Sequence, residues 1–194
     1  MQKLWIGFVA FLCLIPASTA QSQRVGAEAN LRYSEQVSNG PTGTCGCFGM
    51  FGAAGDFYLN IKHFREGKQA AVGVVTDIGY EHTGNVNGAG YGLSLTTATW
   101  GPRLVFAPVG KVRLFAQGLV GLAHGSGSQF PQNNGLVASA NSVAFDLGAG
   151  GDYSMNKRIS LRFLQADYMR TELPNNVNNW QNNLRLGAGI TLHF

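Results

Sequence analysis

The sequence predicts an all-β protein, an eight-stranded antiparallel up-and-down β-barrel that crosses a membrane. Three observations predict it: segments in which apolar and polar residues alternate strictly, connections that alternate between long and short, and glycines gathered on the polar parity. The clearest segment is the last, Asn183 to Phe194. Leu184, Leu186, Ala188, Ile190, Leu192 and Phe194 occupy one parity; Asn183, Arg185, Gly187, Gly189, Thr191 and His193 occupy the other. A period of two puts these sets on opposite faces of a strand. The alternation reaches the final residue without a tail, as suits a sheet closed on itself whose last strand pairs with its first.

The other seven segments follow the same rule. Val25 to Tyr33 sets Val25, Ala27, Ala29, Leu31 and Tyr33 against Glu28, Asn30 and Arg32. Gly52 to Lys62 sets Phe57, Leu59 and Ile61 against Asp56, Tyr58 and Asn60, and Ala71 to Glu81 sets Val72, Val74, Ile78 and Tyr80 against Gly73, Asp77, Gly79 and Glu81. In Leu95 to Phe106, Trp100, Leu104 and Phe106 oppose Thr97, Thr99, Gly101 and Arg103; Pro102 tells against a central strand of a soluble sheet. Lys111 to Ala123 opposes Val112, Leu114, Val120 and Leu122 to Arg113, Gln117 and Gly121, and Ser142 to Tyr153 opposes Val143, Phe145 and Leu147 to Asp146, Gly148, Gly150 and Asp152. Arg158 to Thr171 changes phase part-way, with Arg162 on one parity and Gln165 and Asp167 on the other, which predicts a β-bulge near Phe163–Leu164.

The connections sort into two classes. Long ones follow the first, third, fifth and seventh segments (Ser34 to Phe51, His82 to Ser94, His124 to Asn141, Glu172 to Trp180). Shorter ones follow the second, fourth and sixth (His63 to Ala70, Ala107 to Gly110, Ser154 to Lys157). Membrane barrels have this asymmetry.

Alternation alone leaves open which face is inside; glycine decides it. Across every segment but the second, the polar parity carries Gly26, Gly73, Gly79, Gly101, Gly121, Gly148, Gly150, Gly187 and Gly189, the apolar parity only Gly118 and Gly151. Glycine weakens a strand and belongs where space is tight. A water-facing surface has space; the interior of an eight-stranded barrel is just wide enough for side chains to fill. The polar face therefore points inward and the apolar face toward lipid, with Tyr33, Phe51, Phe57, Tyr80, Trp100, Phe106, Tyr153 and Phe194 as two interfacial girdles.

Residues 1–20 stand apart. Lys3 supplies a positive start, Leu4 to Ile15 an apolar core, and Ser18, Thr19 and Ala20 small residues for cleavage between Ala20 and Gln21. The core is shorter than the roughly 20 residues of a membrane-spanning helix. Leu12 before Cys13 argues against lipidation, so the expectation is a cleaved signal peptide followed by one barrel domain over 21–194. Only 12% of residues are charged, against about 25% in average domains. The formal charge is +4, falling to +3 without Lys3, a mild excess that makes no case for nucleic acid.

The mature chain resembles the small eight-stranded outer-membrane β-barrels of the OmpA and OmpX type. The resemblance rests on FAQGLVGLAHG (Phe115 to Gly125), FDLGAGGDY (Phe145 to Tyr153) with NKRISLRFLQADYMRT (Asn156 to Thr171), and the terminal QNNLRLGAGITLHF (Gln181 to Phe194). It implies residence in the bacterial outer membrane, contact with outer-membrane lipid and lipopolysaccharide, and reading of the final strand with Phe194 by the barrel-assembly machinery. The chain stops at the barrel, so no carboxy-terminal peptidoglycan-binding domain is expected. The resemblance says little about activity.

Candidate functional residues are chiefly the inward charges. Glu28, Asp56, Asp77, Glu81, Asp146, Asp152 and Asp167 face Arg32, Arg103, Arg113, Arg162 and Arg185. Isolated buried ions are prohibitively costly, which predicts a ladder of Arg–carboxylate pairs plugging the lumen; a gated ion path is the functional alternative. Cys45 and Cys47 in the first long connection form a candidate disulfide in an exported protein. His124, Gly125 and Ser126 resemble the His-x-Ser pair of lipid A-modifying barrels, but no Glu follows in the next strand to orient the histidine. No catalytic residue, cofactor site or metal cluster is expected. The function expected is non-enzymatic envelope integrity or surface interaction through the loops, with an unidentified extracellular ligand. The alternative is narrow-pore, porin-like conductance, and a more remote one is a lipid A-modifying enzyme.

Overall fold

The computed structural model describes residues 26–39, 47–64, 70–86, 90–132 and 135–194. The leader and its junction at Ala20 and Gln21 lie outside them. The strands are β1 (Ala27–Ser38), β2 (Phe48–Phe64), β3 (Ala70–Thr83), β4 (Leu93–Val105), β5 (Val112–Gln132), β6 (Gly135–Ser154), β7 (Ile159–Thr171) and β8 (Gln181–His193). Each pairs antiparallel with its neighbour in chain order, and β8 pairs with β1 from Glu28↔His193 to Ser38↔Asn183, closing the barrel.

The stagger of the closure can be followed along one row of paired residues. Ala29 pairs with Phe57, then Thr76, Trp100, Val120, Phe145, Arg170 and Asn182. Asn182 meets β1 again at Asn39, ten residues beyond the start. A row that climbs this far in one circuit requires strongly tilted strands. It also brings residues remote in sequence to one level of the lumen.

The barrel is inside-out. Leu31 is 70% exposed and Leu147 69%, whereas Arg185, Asp77 and Thr97 are fully buried. A continuous outer surface of Leu, Ile, Val, Phe and Tyr is the surface of a transmembrane barrel. The inner glycines show how cramped the lumen is. A Cβ on Gly79 would lie 2.5 Å from Arg185 Nη1, and one on Gly150 2.5 Å from the Phe115 ring. On Gly73, Gly101, Gly121 and Gly189 it would strike the backbone of the adjacent strand; Gly26 alone of this set has open space. On the outer face a Cβ at Gly118 meets nothing within 4 Å.

The predicted bulge is present: two residues, Phe163 and Leu164, separate Arg162 from Gln165 where β8 spends one between Gly189 and Gly187. The extra residue lets Arg162, Gln165 and Asp167 all face inward.

Two expectations are corrected. Most of the predicted third long connection, His124 to Asn141, is strand: β5 and β6 remain paired to Gln132↔Gly135. Beyond the lipid the outer face of a hairpin meets water, so no apolar period marks it, although Phe130 still turns inward to pack over the mouth. Trp100 and Phe57, expected near strand ends, lie in mid-strand, Trp100 opposite Thr76 and Val120 and Phe57 opposite Ala29 and Thr76.

The charged lumen as candidate functional site

The inward parity of every strand delivers its polar side chains to one narrow column. At its centre Asp56 on β2 joins three guanidinium groups. Arg103 Nη1 donates to Oδ1 at 2.8 Å, while Arg162 Nη1 and Arg32 Nη1 donate to Oδ2 at 2.6 and 3.1 Å. Arg32 also bonds Asp77 through its second nitrogen. Towards the loops, Arg185 Nη2 donates to Asp77 at 2.9 Å, Asp167 at 3.1 Å and Asp146 at 3.2 Å, and Glu81 lies 3.7 Å from Arg185 Nη1. Towards the turns, Arg162 Nε donates to Asp152 at 2.8 Å, and Arg113 grips both oxygens of Glu28 at 2.5 and 2.9 Å.

Neutral side chains complete the column. Gln117 accepts from Arg103 Nε at 2.9 Å and donates to Asp167 at 3.3 Å; Gln165 accepts from Arg162 and donates to Asp167, both at 2.9 Å. The ring of Phe115 is flanked by Arg103 and Arg162, each guanidinium carbon 4.5 Å from its centroid. Such cation–π stacking suits arginine, whose planar head is weakly hydrated. Among the described residues seven carboxyl groups face five guanidinium groups, so the acidic side chains outnumber the arginines by two. Glu81 Oε2 and Asp146 Oδ1, at the loop side, find no donor among the described residues.

Two apolar clusters accompany this column, one among the charges and one over its loop end. Tyr58, Ala71, Val75, Val105, Phe115 and Leu119 pack on the turn side, and Met50, Leu93, Leu95, Ala123, Phe130, Ala144 and Leu173 pack on the loop side. Sequence reasoning missed them, though Leu95, Phe115 and Leu119 stand on the polar parity of their strands and signal an apolar contact inside.

A second arrangement escaped the sequence. Ser160 Oγ lies 2.7 Å from His193 Nε2, and His193 Nδ1 lies 3.3 Å from Glu28 Oε1. The order is that of a nucleophile, base and orienting acid. Ser160, however, is only 1% exposed, and Glu28 is already held by Arg113, so the chain of contacts ties β7, β8 and β1 together across the seam. The other enzyme-like pair does not assemble: His124 is exposed on the outer face, 2.6 Å from Asn141 Oδ1, whereas Asp146 is buried within.

Cys47 is disulfide-bonded; Cys45 lies outside the described residues. Phe194 ends the chain on the outer face, its N–H donating to Ala27 O at 2.9 Å. At the loop end a polar cleft of about 610 Å³ lies between Pro131 and Gln132 of β5 and the loop after β7, including Pro174, Asn176 and Asn179. Asn175 Oδ1 shapes it by accepting the N–H groups of Val177, Asn178 and Asn179. Asn176 and Asn179 adopt φ of 60° and 55°, a region asparagine tolerates.

No protein-family model matches the chain, and no curated relative does. Solved structures do. Ail, the attachment invasion locus protein of Yersinia pestis, solved with the heparin analogue sucrose octasulfate, superposes with a TM-score of 0.57 at 14% identity, covering 88% of this chain and 99% of Ail. Neisserial surface protein A superposes with a TM-score of 0.58 at 13% identity, covering 87% of this chain and 97% of the other. At these identities the likeness is one of fold: an eight-stranded barrel of the outer-membrane type.

Proposed function

We propose that this protein is an integral barrel of the bacterial outer membrane, exported by a signal peptide cleaved after Ala20 and assembled through its final strand and Phe194. Its work is non-enzymatic: a sealed, rigid wall that contributes to envelope integrity and presents a loop surface to the outside. The observation that carries this reading is the lumen, in which Asp56 alone draws together arginines from β1, β4 and β7 beneath an apolar cap. A path for ions would need those partners to part, and breaking a buried pair costs about 3–5 kcal/mol. Narrow-pore conductance is the weaker reading for that reason.

The loop-end cleft favours a neutral polar ligand, since amides and prolines line it and none of the described lining residues is charged. It offers no cluster of basic residues for a polyanion such as the sulfated sugar held by Ail. Planar-bilayer recording of the refolded barrel, beside a heat-shift gel and membrane fractionation, tests the proposal. The expected result is a heat-modifiable outer-membrane protein without steady conductance; sustained single-channel steps would overturn the plug and favour the pore.

A further inference from the structure

The outer wall is not uniformly convex. A concavity of about 690 Å³ opens on the lipid face across β4 to β7, within the range of about 300–1,000 Å³ typical of ligand sites. Two rows of paired residues frame it. Trp100, Val120, Phe145 and Arg170 form one row. Gly118, Leu147 and Tyr168 form the next, one step nearer the turns. The hollow exists because Gly118 has no side chain and a Cβ there would meet nothing within 4 Å; at outward Gly151, by contrast, the space is filled by Phe163 and Leu114. Pro102 contributes too. It has no N–H to give the ladder, and no β4–β5 pair is formed between Trp100↔Val120 and Arg103↔Gln117.

The concavity rises from Gly118 in mid-wall to Arg170 and Glu172 at the loop end of β7. Arg170 stacks on Trp180 with its guanidinium carbon 3.9 Å from the ring centroid. It forms no ion pair with a carboxylate of the described residues, and its buried Nε has no hydrogen-bond partner there. An arginine held against an aromatic ring at the outer edge of an apolar surface, and forming no ion pair even with Glu172 of the same concavity, is suited to hold a phosphate.

We infer that this groove seats one molecule of lipopolysaccharide, an acyl chain lying over Gly118 between Trp100, Phe145 and Leu147 and a phosphate held by Arg170. The inference rests on the outer-membrane reading, which places the loop end in the leaflet where phosphorylated glycolipid resides. The groove is part of the lipid face and leaves the plugged lumen untouched.

The test is native mass spectrometry of the refolded barrel in detergent, titrated with purified lipopolysaccharide and separately with phosphatidylglycerol. One lipopolysaccharide per barrel is expected, weakened about tenfold or more by R170Q, which removes the charge-assisted pair, and by G118L, which fills the hollow. R158Q, an exposed turn-side cation, should bind as the parent does. Unchanged affinity in both groove variants, absence of binding, or equal binding of phosphatidylglycerol with the same dependence would overturn the inference. Each variant is first checked by its heat-shift gel. A barrel that inserts and shifts with heat, yet retains no lipid, refutes the groove and leaves the outer-membrane reading standing.

Discussion

Arg103 Nη1 donates to Asp56 Oδ1 at 2.8 Å, and the other oxygen of the same carboxylate serves Arg162 and Arg32. One anion thereby neutralises parts of three cations that would repel one another. Asp56→Asn should destabilise the barrel by about 3–5 kcal/mol, the cost of orphaning buried charge. Asp146→Asn is the counterpart. It removes one of the two carboxyl groups in excess of the arginines, and one whose Oδ1 has no donor among the described residues, so stability should fall by less than about 1 kcal/mol or rise. Urea or heat-shift titration of both variants checks the contrast; equal losses would mean the excess of carboxyl groups is not felt.

Arg103→Gln tests the plug. The variant keeps a polar side chain but loses the contact with Asp56 and half of the sandwich around Phe115. The heat-shift midpoint should drop and conductance noise should rise in planar bilayers. Unchanged values in both measurements would remove Arg103 from the seal.

Space inside and outside the wall should respond oppositely to a methyl group. Gly79→Ala pushes against the Arg185 guanidinium and Thr97, and overpacking of this kind costs about 1–3 kcal/mol. Gly118→Ala adds a methyl where nothing stands within 4 Å and should leave the folded fraction unchanged. If both variants refold alike, crowding does not explain the glycine distribution.

Ser160, His193 and Glu28 give a sharp test of the non-enzymatic reading. A fluorophosphonate probe should leave Ser160 unlabelled, because the hydroxyl is enclosed. His193→Ala should cost about 1 kcal/mol through loss of a seam hydrogen bond. Stoichiometric labelling that disappears in His193→Ala would turn this arrangement into an active site.

Cys47 is bonded, and Cys45 is its proposed partner. Thiol labelling of unreduced, unfolded protein should find neither cysteine reactive. Cys45→Ser should then expose Cys47 to the reagent; a Cys47 that stays blocked would assign its bond elsewhere.

Within the lipid, two solvents write the pattern: hydrocarbon demands apolar residues on one parity, and a crowded lumen demands glycine and charge on the other. Strands, handed connections and the Phe163–Leu164 bulge follow from that pattern. Parity also separates Arg32, Arg103, Arg162 and Arg185 from the lipid face, but which carboxylate each meets depends on the ten-residue stagger, a property of closure that no local stretch encodes. Arg185 and Asp77 stand 108 residues apart yet bond at 2.9 Å. Outside the lipid the two-solvent rule lapses, which hid the extension of β5 and β6. Leu173 was hidden similarly, as a single apolar residue in a loop that folds back over the mouth.

The overhanging β5–β6 hairpin has a mechanical consequence. Phe130, near its tip, is also a stone in the keystone over the opening, wedged with Met50, Leu95 and Leu173. Anything that grips the tip pulls on that wedge, so a load taken up by the hairpin is passed to the packing that closes the mouth of the barrel.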